Sequence, residues 1–115
     1  MAIIYHLTGR AEWEDSSTAD EYRAESLAQE GFLHCSRDEA QLLAVANRLF
    51  AGRTDLLVLD VDTERLHAAV KHETSRSGEI YPHIYGPLNA DAVVSVRLLT
   101  GDADGKFSAV GQQLS

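Results

Sequence analysis

Eight side chains in this sequence pair a proton-transfer or hydrogen-bonding group with a setting that would hold it still. They are His6, Thr8, His34, Ser36, Tyr81, His83, Tyr85 and Asn89. Imidazoles titrate near neutral pH, so His6, His34 and His83 are the catalytic candidates, with His83 the leading proton carrier. The hydroxyls of Thr8, Ser36, Tyr81 and Tyr85 and the amide of Asn89 are suited to fixing a polar ligand. The competing reading is architectural: histidines hydrogen-bonded to neighbouring strands, and tyrosines that bury their rings and satisfy their hydroxyls.

The densest of these groups lies in Ile80-Tyr81-Pro82-His83-Ile84-Tyr85-Gly86-Pro87-Leu88-Asn89, which holds both prolines of the chain. Two prolines fix backbone angles and remove two N–H donors, so the segment reads as a rigid connection carrying an imidazole and two phenols. The Tyr81–Pro82 bond is one to check for cis geometry, with trans as the default.

Around it the pattern is strand, helix, strand, helix, then several strands. Ala2 to Thr8 is rich in branched and aromatic residues and reads as a strand ending at Gly9. Alternation puts Ile4, His6 and Thr8 on one face and Ile3, Tyr5 and Leu7 on the other. The second face is the more apolar and is expected to be the core side, leaving His6 and Thr8 towards solvent or a cleft. From Arg10 to Glu30 two helical pieces are expected, broken by Asp15-Ser16-Ser17-Thr18, with Tyr22 near the break. Ser26-Leu27-Ala28-Gln29 has capping-box spacing, and Gly31 suits a helix end. Gly31 to Ser36 reads as a short strand with Cys35 buried as a small hydrophobe. Ser36-Arg37-Asp38-Glu39 is a second capping box. It opens a helix whose Leu42, Val45, Ala46, Leu49 and Phe50 follow the spacing of one buried face, with Gly52 ending it.

Asp55 to Asp62 is apolar enough to be a central strand. Asp60 and Asp62 resemble a metal-binding pair, but they close a strand beside a turn and no third ligand is near in sequence. Further strands are expected over Ala68–Glu73 and within Asp91–Leu99, separated by the polar loop Ser75-Arg76-Ser77-Gly78. The tail from Gly101 adds an edge strand at Lys106-Phe107-Ser108 or frays. The whole of 1–115 is then one α+β domain with a mostly antiparallel late half and two main helical segments.

The bulk properties narrow the functional classes. A chain of 115 residues with 44% hydrophobic and 24% charged residues can bury a core without staples. A net charge of −8 with ten scattered basic residues argues against nucleic acid as a simple partner. There is no apolar run near twenty residues and no charged-then-apolar leader, so neither a membrane span nor secretion is expected. One cysteine precludes an internal disulfide, and the cytoplasm is the expected compartment. No two of the five histidines stand at i, i+4, so a metal site is not expected. The common dinucleotide, P-loop and hydrolase motifs are absent.

Three segments together, Ile4-Tyr5-His6-Leu7-Thr8, Glu30-Gly31-Phe32-Leu33-His34-Cys35-Ser36 and Pro82-His83-Ile84-Tyr85-Gly86-Pro87-Leu88-Asn89, resemble the bacterial and plant family called domain of unknown function 952. The resemblance extends over nearly the whole chain, including Val45-Ala46-Asn47 and Leu56 to Asp62. That family is similar to the ADP-ribosyltransferase fold, which includes the RNA 2′-phosphotransferases. The resemblance implies a split sheet, mixed or antiparallel, and a pocket for NAD or a related phosphorylated nucleotide ligand. It places His6 and Thr8 at the nicotinamide ribose and Ser36 at the frame of the nicotinamide pocket. The chain departs from the fold's pattern where Leu7 replaces a glycine after the first-strand histidine. It departs again where the last strand, Ala92 to Leu99, brings no glutamate. Group transfer from such a ligand is the expected activity. A non-catalytic small-ligand or protein-interaction module with structural histidines is the alternative.

Overall fold

The computed structural model describes residues 2–17 and 20–113. Its framework is an antiparallel sheet of β1 (Ile3–Gly9), β4 (Leu56–Asp62) and β8 (Val93–Leu99), with β4 in the middle. A second antiparallel sheet joins β3 (Leu33–His34), β6 (Ile80–Tyr85) and β5 (Ala69–Thr74), with β6 central. A two-stranded ribbon pairs β2 (Glu21–Tyr22) with β7 (Leu88–Asn89). Three helices, α1 (Arg10–Ser16), α2 (Glu25–Glu30) and α3 (Glu39–Leu49), complete the α+β architecture. The sheets meet where Tyr5 and Ser36 exchange backbone hydrogen bonds, Tyr5 N to Ser36 O at 2.9 Å and Ser36 N to Tyr5 O at 2.7 Å.

The first sheet is covered on both faces, and this explains why β4 is a nearly unbroken apolar run. Leu59 and Val61 join Ile4, Leu33 and Ile84 in one core beneath the second sheet. Leu56 and Val58 join Leu42, Ala46, Leu99 and Phe107 in another beneath α3 and the tail. Each fully buried Leu or Ile contributes roughly 1.5–3 kcal/mol relative to exposure. The double cover corrects the expected orientation of β1. His6 and Thr8 pair across to Leu59 and Leu57 and lie on the more deeply buried face. Tyr5 and Leu7 lie half-buried against the α3 core.

The proline segment is not a connection. Residues 80–85 form the middle strand of the second sheet, and the Tyr81–Pro82 bond is trans. Pro82 is tolerated because its carbonyl, accepting from Cys35 N at 3.1 Å, faces the β3 side, where the ladder has already ended at His34. The missing N–H therefore interrupts little.

Cap positions differ as well. Asp38, not Ser36, caps α3: its Oδ1 accepts from Gln41 N at 2.7 Å, while Ser36 is held extended by its exchange with Tyr5. Helix α2 starts at Glu25 after Ala24, so the box beginning at Ser26 does not form. Gly31 does end that helix, with φ of 87° in the left-handed region. On α3, Leu42 and Ala46 are buried, but Leu49 in the last turn is 61% exposed. The tail forms no strand at Lys106–Ser108. Asn47 instead clasps Phe107, accepting from its N at 2.7 Å and donating to its O at 2.8 Å.

Candidate functional site

Strand β1 is an edge strand, and past its bridge to Ser36 the two sheets part. A cleft of about 600 Å³ opens there, with α2 on one wall and α3 on the other. His6, His34, Ser36, Tyr81 and His83 all border it. Alternation along β1 turns the Leu7 N–H and C=O the same way as those of Tyr5, off β4 and into this opening. No backbone or side-chain group meets them among the described residues.

The floor of the cleft is a buried hydrogen-bond network. His6 Nδ1 donates to the His34 carbonyl at 2.6 Å, which leaves Nε2 of the neutral ring as an acceptor 3.4 Å from the Tyr22 hydroxyl. That hydroxyl also lies 2.9 Å from Thr8 Oγ1 and donates to Glu12 Oε1 at 3.3 Å. One phenolic proton thus stands between an imidazole and a carboxylate. Burial holds His6 below its ordinary pKa, against the raising pull of the His34 carbonyl and Glu12. Burial likewise raises Tyr22, with Glu12 adding to it. Both groups are neutral at pH 7.

The rim is a row of rings on the second sheet. Phe32 stacks on His83 at 4.3 Å and meets His34 edge-on at 4.9 Å, and the two imidazoles meet edge-on at 5.2 Å. Each imidazole has a carboxylate. His34 Nε2 pairs with Glu30, the last residue of α2, across the turn at Gly31, and His83 Nδ1 lies 2.7 Å from Glu73 Oε1. The same Glu73 oxygen accepts from the Tyr85 hydroxyl at 2.5 Å. These two hydrogen bonds, Tyr85 first, hold Glu73 below the usual carboxylate range, and Tyr85 is raised in return.

Of the eight residues singled out from the sequence, five border the cleft. Thr8 lies behind it, hydrogen-bonded to Tyr22, which in turn bonds to the bordering His6 and Glu12. Tyr85 belongs to the rim without bordering the opening. Asn89 is elsewhere: its amide donates to Arg65 O and Asp91 Oδ1 and accepts from His67 N, fastening a turn. Cys35 is buried, and burial raises its thiol pKa. The aspartates of β4 are tied up as well. Asp60 accepts from Ser95 at 2.7 Å and from Arg97 at 3.0 Å, and Asp62 caps the next turn through Glu64 N at 3.0 Å. Among the described residues no three His, Cys, Asp or Glu side chains converge for a metal ion, and no helix is long and apolar enough to cross a membrane.

Sequence reasoning did not place Glu12, Tyr22, Phe32 and Glu73 in the site. The Glu30–His34 pair forms across the turn from α2 to β3, where i, i+4 spacing is not that of helical neighbours and gives no local signal. The other partners depend on pairings between distant segments, such as Tyr22↔Leu88 and Glu73↔Tyr81, which no local pattern announces.

A search of curated proteins finds no match. Among solved structures, the crystal structure of protein CC0527 from Caulobacter crescentus superposes with a TM-score of 0.80 at 33% identity, over 92% of this chain and 93% of that one. Its solution NMR structure gives a TM-score of 0.76 at 34% identity, over 97% and 93%. Both are structural-genomics targets. The family model described as "Protein of unknown function (DUF952)" matches residues 7–96, and it is to this family that the chain belongs.

Proposed function

We propose that the cleft binds the nicotinamide–ribose end of an NAD-like ligand and supports group transfer from it, as in ADP-ribosyltransferases. The observation that carries this reading is the open edge of β1 at Leu7. An N–H and a C=O offered side by side match the C=O and NH2 of a primary carboxamide. A side chain at this position leaves the backbone groups free, so the absence of glycine is no obstacle to that contact. Ser36, 4% exposed, borders the same opening, and its hydroxyl has no protein partner among the described residues.

Cleaving the bond between ribose and a pyridinium sends the bonding pair to the ring nitrogen and builds positive charge on the sugar. A fixed negative group must stabilise that charge. No carboxylate on β8 faces the cleft, but Glu12 borders it beside the His6–Tyr22 network. Glu12 would take the role that the last strand lacks. The acceptor's oxygen or nitrogen then bonds to the sugar, and its proton passes to His34 or His83. The experiment is an NMR titration of labelled protein with NAD, ADP-ribose and nicotinamide, followed by an assay for nicotinamide release. Saturable shifts along β1 and β6 with release that is lost in Glu12→Gln support the reading. Absence of shifts at millimolar ligand removes it.

A second reading, a binding or interaction module without turnover, is favoured by one observation. Both ring nitrogens of His6 already have protein partners, as a purely architectural histidine would. Saturable binding without nicotinamide release would select it.

A further inference from the structure

The cleft carries a charge pattern that bears on which ligand it takes. Glu12, Glu25 and Glu30 border it, and Arg48 is the only lysine or arginine among the described residues that does. A pyrophosphate would need N–H groups or cations to receive it, and helix N-termini are the usual source. Here both nearby helix starts are already met by carboxylates. Glu25 N, opening α2, donates to Glu12 Oε1 at 3.4 Å, and Gln41 N of α3 donates to Asp38. The acidic wall is not the only feature that points to a ligand. Ser36 is buried at the same opening with its hydroxyl unpaired, and Val45, Leu49 and Phe50 give α3 an apolar wall opposite α2. An apolar slot facing carboxylates suits a flat cationic ring, and a hydroxyl left without a protein partner at the opening suits a sugar.

We propose that the site selects a small cationic N-glycoside without phosphate, of the pyridinium riboside class, over dinucleotides. This rests on the reading of the cleft as a nicotinamide–ribose site and narrows its substrate class. The ring's positive charge lies towards Glu12 and Glu25, the ring plane along Leu49 and Phe50, and a ribose hydroxyl at Ser36. Each added phosphate brings negative charge against Glu25 and Glu30, with Arg48 to offset it, since Arg53, over the Phe50 ring at 5.5 Å, is already paired with Asp55.

The test compares nicotinamide riboside, its 5′-monophosphate and NAD by calorimetry and NMR, at low and at raised salt. The riboside is expected to bind about tenfold tighter than either phosphorylated ligand, with the margin shrinking as salt screens the wall. The same margin is expected to shrink in the Glu25→Gln/Glu30→Gln double variant. Ser36→Ala should weaken riboside binding several-fold while leaving the amide spectrum of the free protein otherwise intact. NAD binding as tightly as the riboside, or tighter, overturns the charge selection and leaves the nicotinamide–ribose reading standing. No shift at β1 with any of the three ligands overturns that reading, and this proposal with it.

Discussion

Histidine is used at two depths in this chain, and the contrast between the floor and the rim of the cleft teaches what each depth permits. On the floor, His6 is 4% exposed, and burial keeps its ring neutral. Its neighbours Tyr22 and Thr8 are equally deep, and the three are held by hydrogen bonds to one another, to the His34 carbonyl and to Glu12. On the rim, His34 and His83 sit beside exposed carboxylates, with side-chain exposures of 57% and 14%. A floor group can orient a ligand but exchanges protons only through Tyr22 and Glu12. A rim group reaches water and a ligand directly. The floor should therefore dominate stability and the rim should dominate proton transfer.

The sharpest way to break that division is to remove the hub. Tyr22→Ala deletes a fully buried ring and the hydroxyl on which His6, Thr8 and Glu12 converge, and a loss of about 3–5 kcal/mol in urea unfolding is expected. A loss comparable to that of a surface change would show that the floor is not a structural unit. Tyr22→Phe keeps the ring and should cost about 1–3 kcal/mol, the share due to unpaired partners in a buried network. On the rim, His34→Ala should cost under about 1 kcal/mol, because its ring and its Glu30 partner are both exposed and the pair is screened by solvent. A larger loss there would merge the two regions into one.

The regions should also separate by pH. Because the folded pKa of His6 is depressed, the unfolded chain binds the extra proton more readily. Its contribution to stability is thus complete above about pH 6.5, the ordinary histidine value, and is lost as pH falls below it. Glu73 is depressed too, but from the carboxylate range. Its contribution is complete above about pH 4.3 and is lost as pH falls through the lowered folded value. Unfolding midpoints measured from pH 3 to 8 should show two windows, with His6→Gln flattening only the upper one. The smallest expected effect is chemical. Cys35, 4% exposed, should not react with a thiol reagent until the protein unfolds.

Much of the frame was legible in the sequence because it repeats at a fixed period. The apolar run of β4, the i, i+3, i+4 face of α3 and the branched residues of β1 and β8 identify themselves locally. The misreadings arose where two neighbours act at once. Composition assigned the Tyr5 side of β1 to the core, since nothing local says that a sheet is covered twice. Pro82 made a central strand look like a loop, because the shortness of β3, which excuses the missing donor, is a property of another segment. Ser36 had the right type and spacing for a cap, but its backbone was claimed by Tyr5. For the site, the three rim and floor histidines could be named from residue type, whereas Glu12, Tyr22 and Glu73 could not, since their meeting depends on sheet register. Asn89 shows the converse error, a polar residue in a dense segment whose amide turned out to hold a turn.

The clasp of Phe107 by Asn47 has a consequence for how the chain acquires its structure during synthesis. Phe107 is buried against Leu42, Ala46 and Leu99, so one of the two cores lacks a wall until residue 107 has left the ribosome. Strand β4 likewise waits for β8, more than thirty residues later, to cover its second edge. The nascent chain must therefore hold the apolar run of β4 half-paired until β8 has been made, and its exposure to chaperones and to aggregation is greatest in that interval.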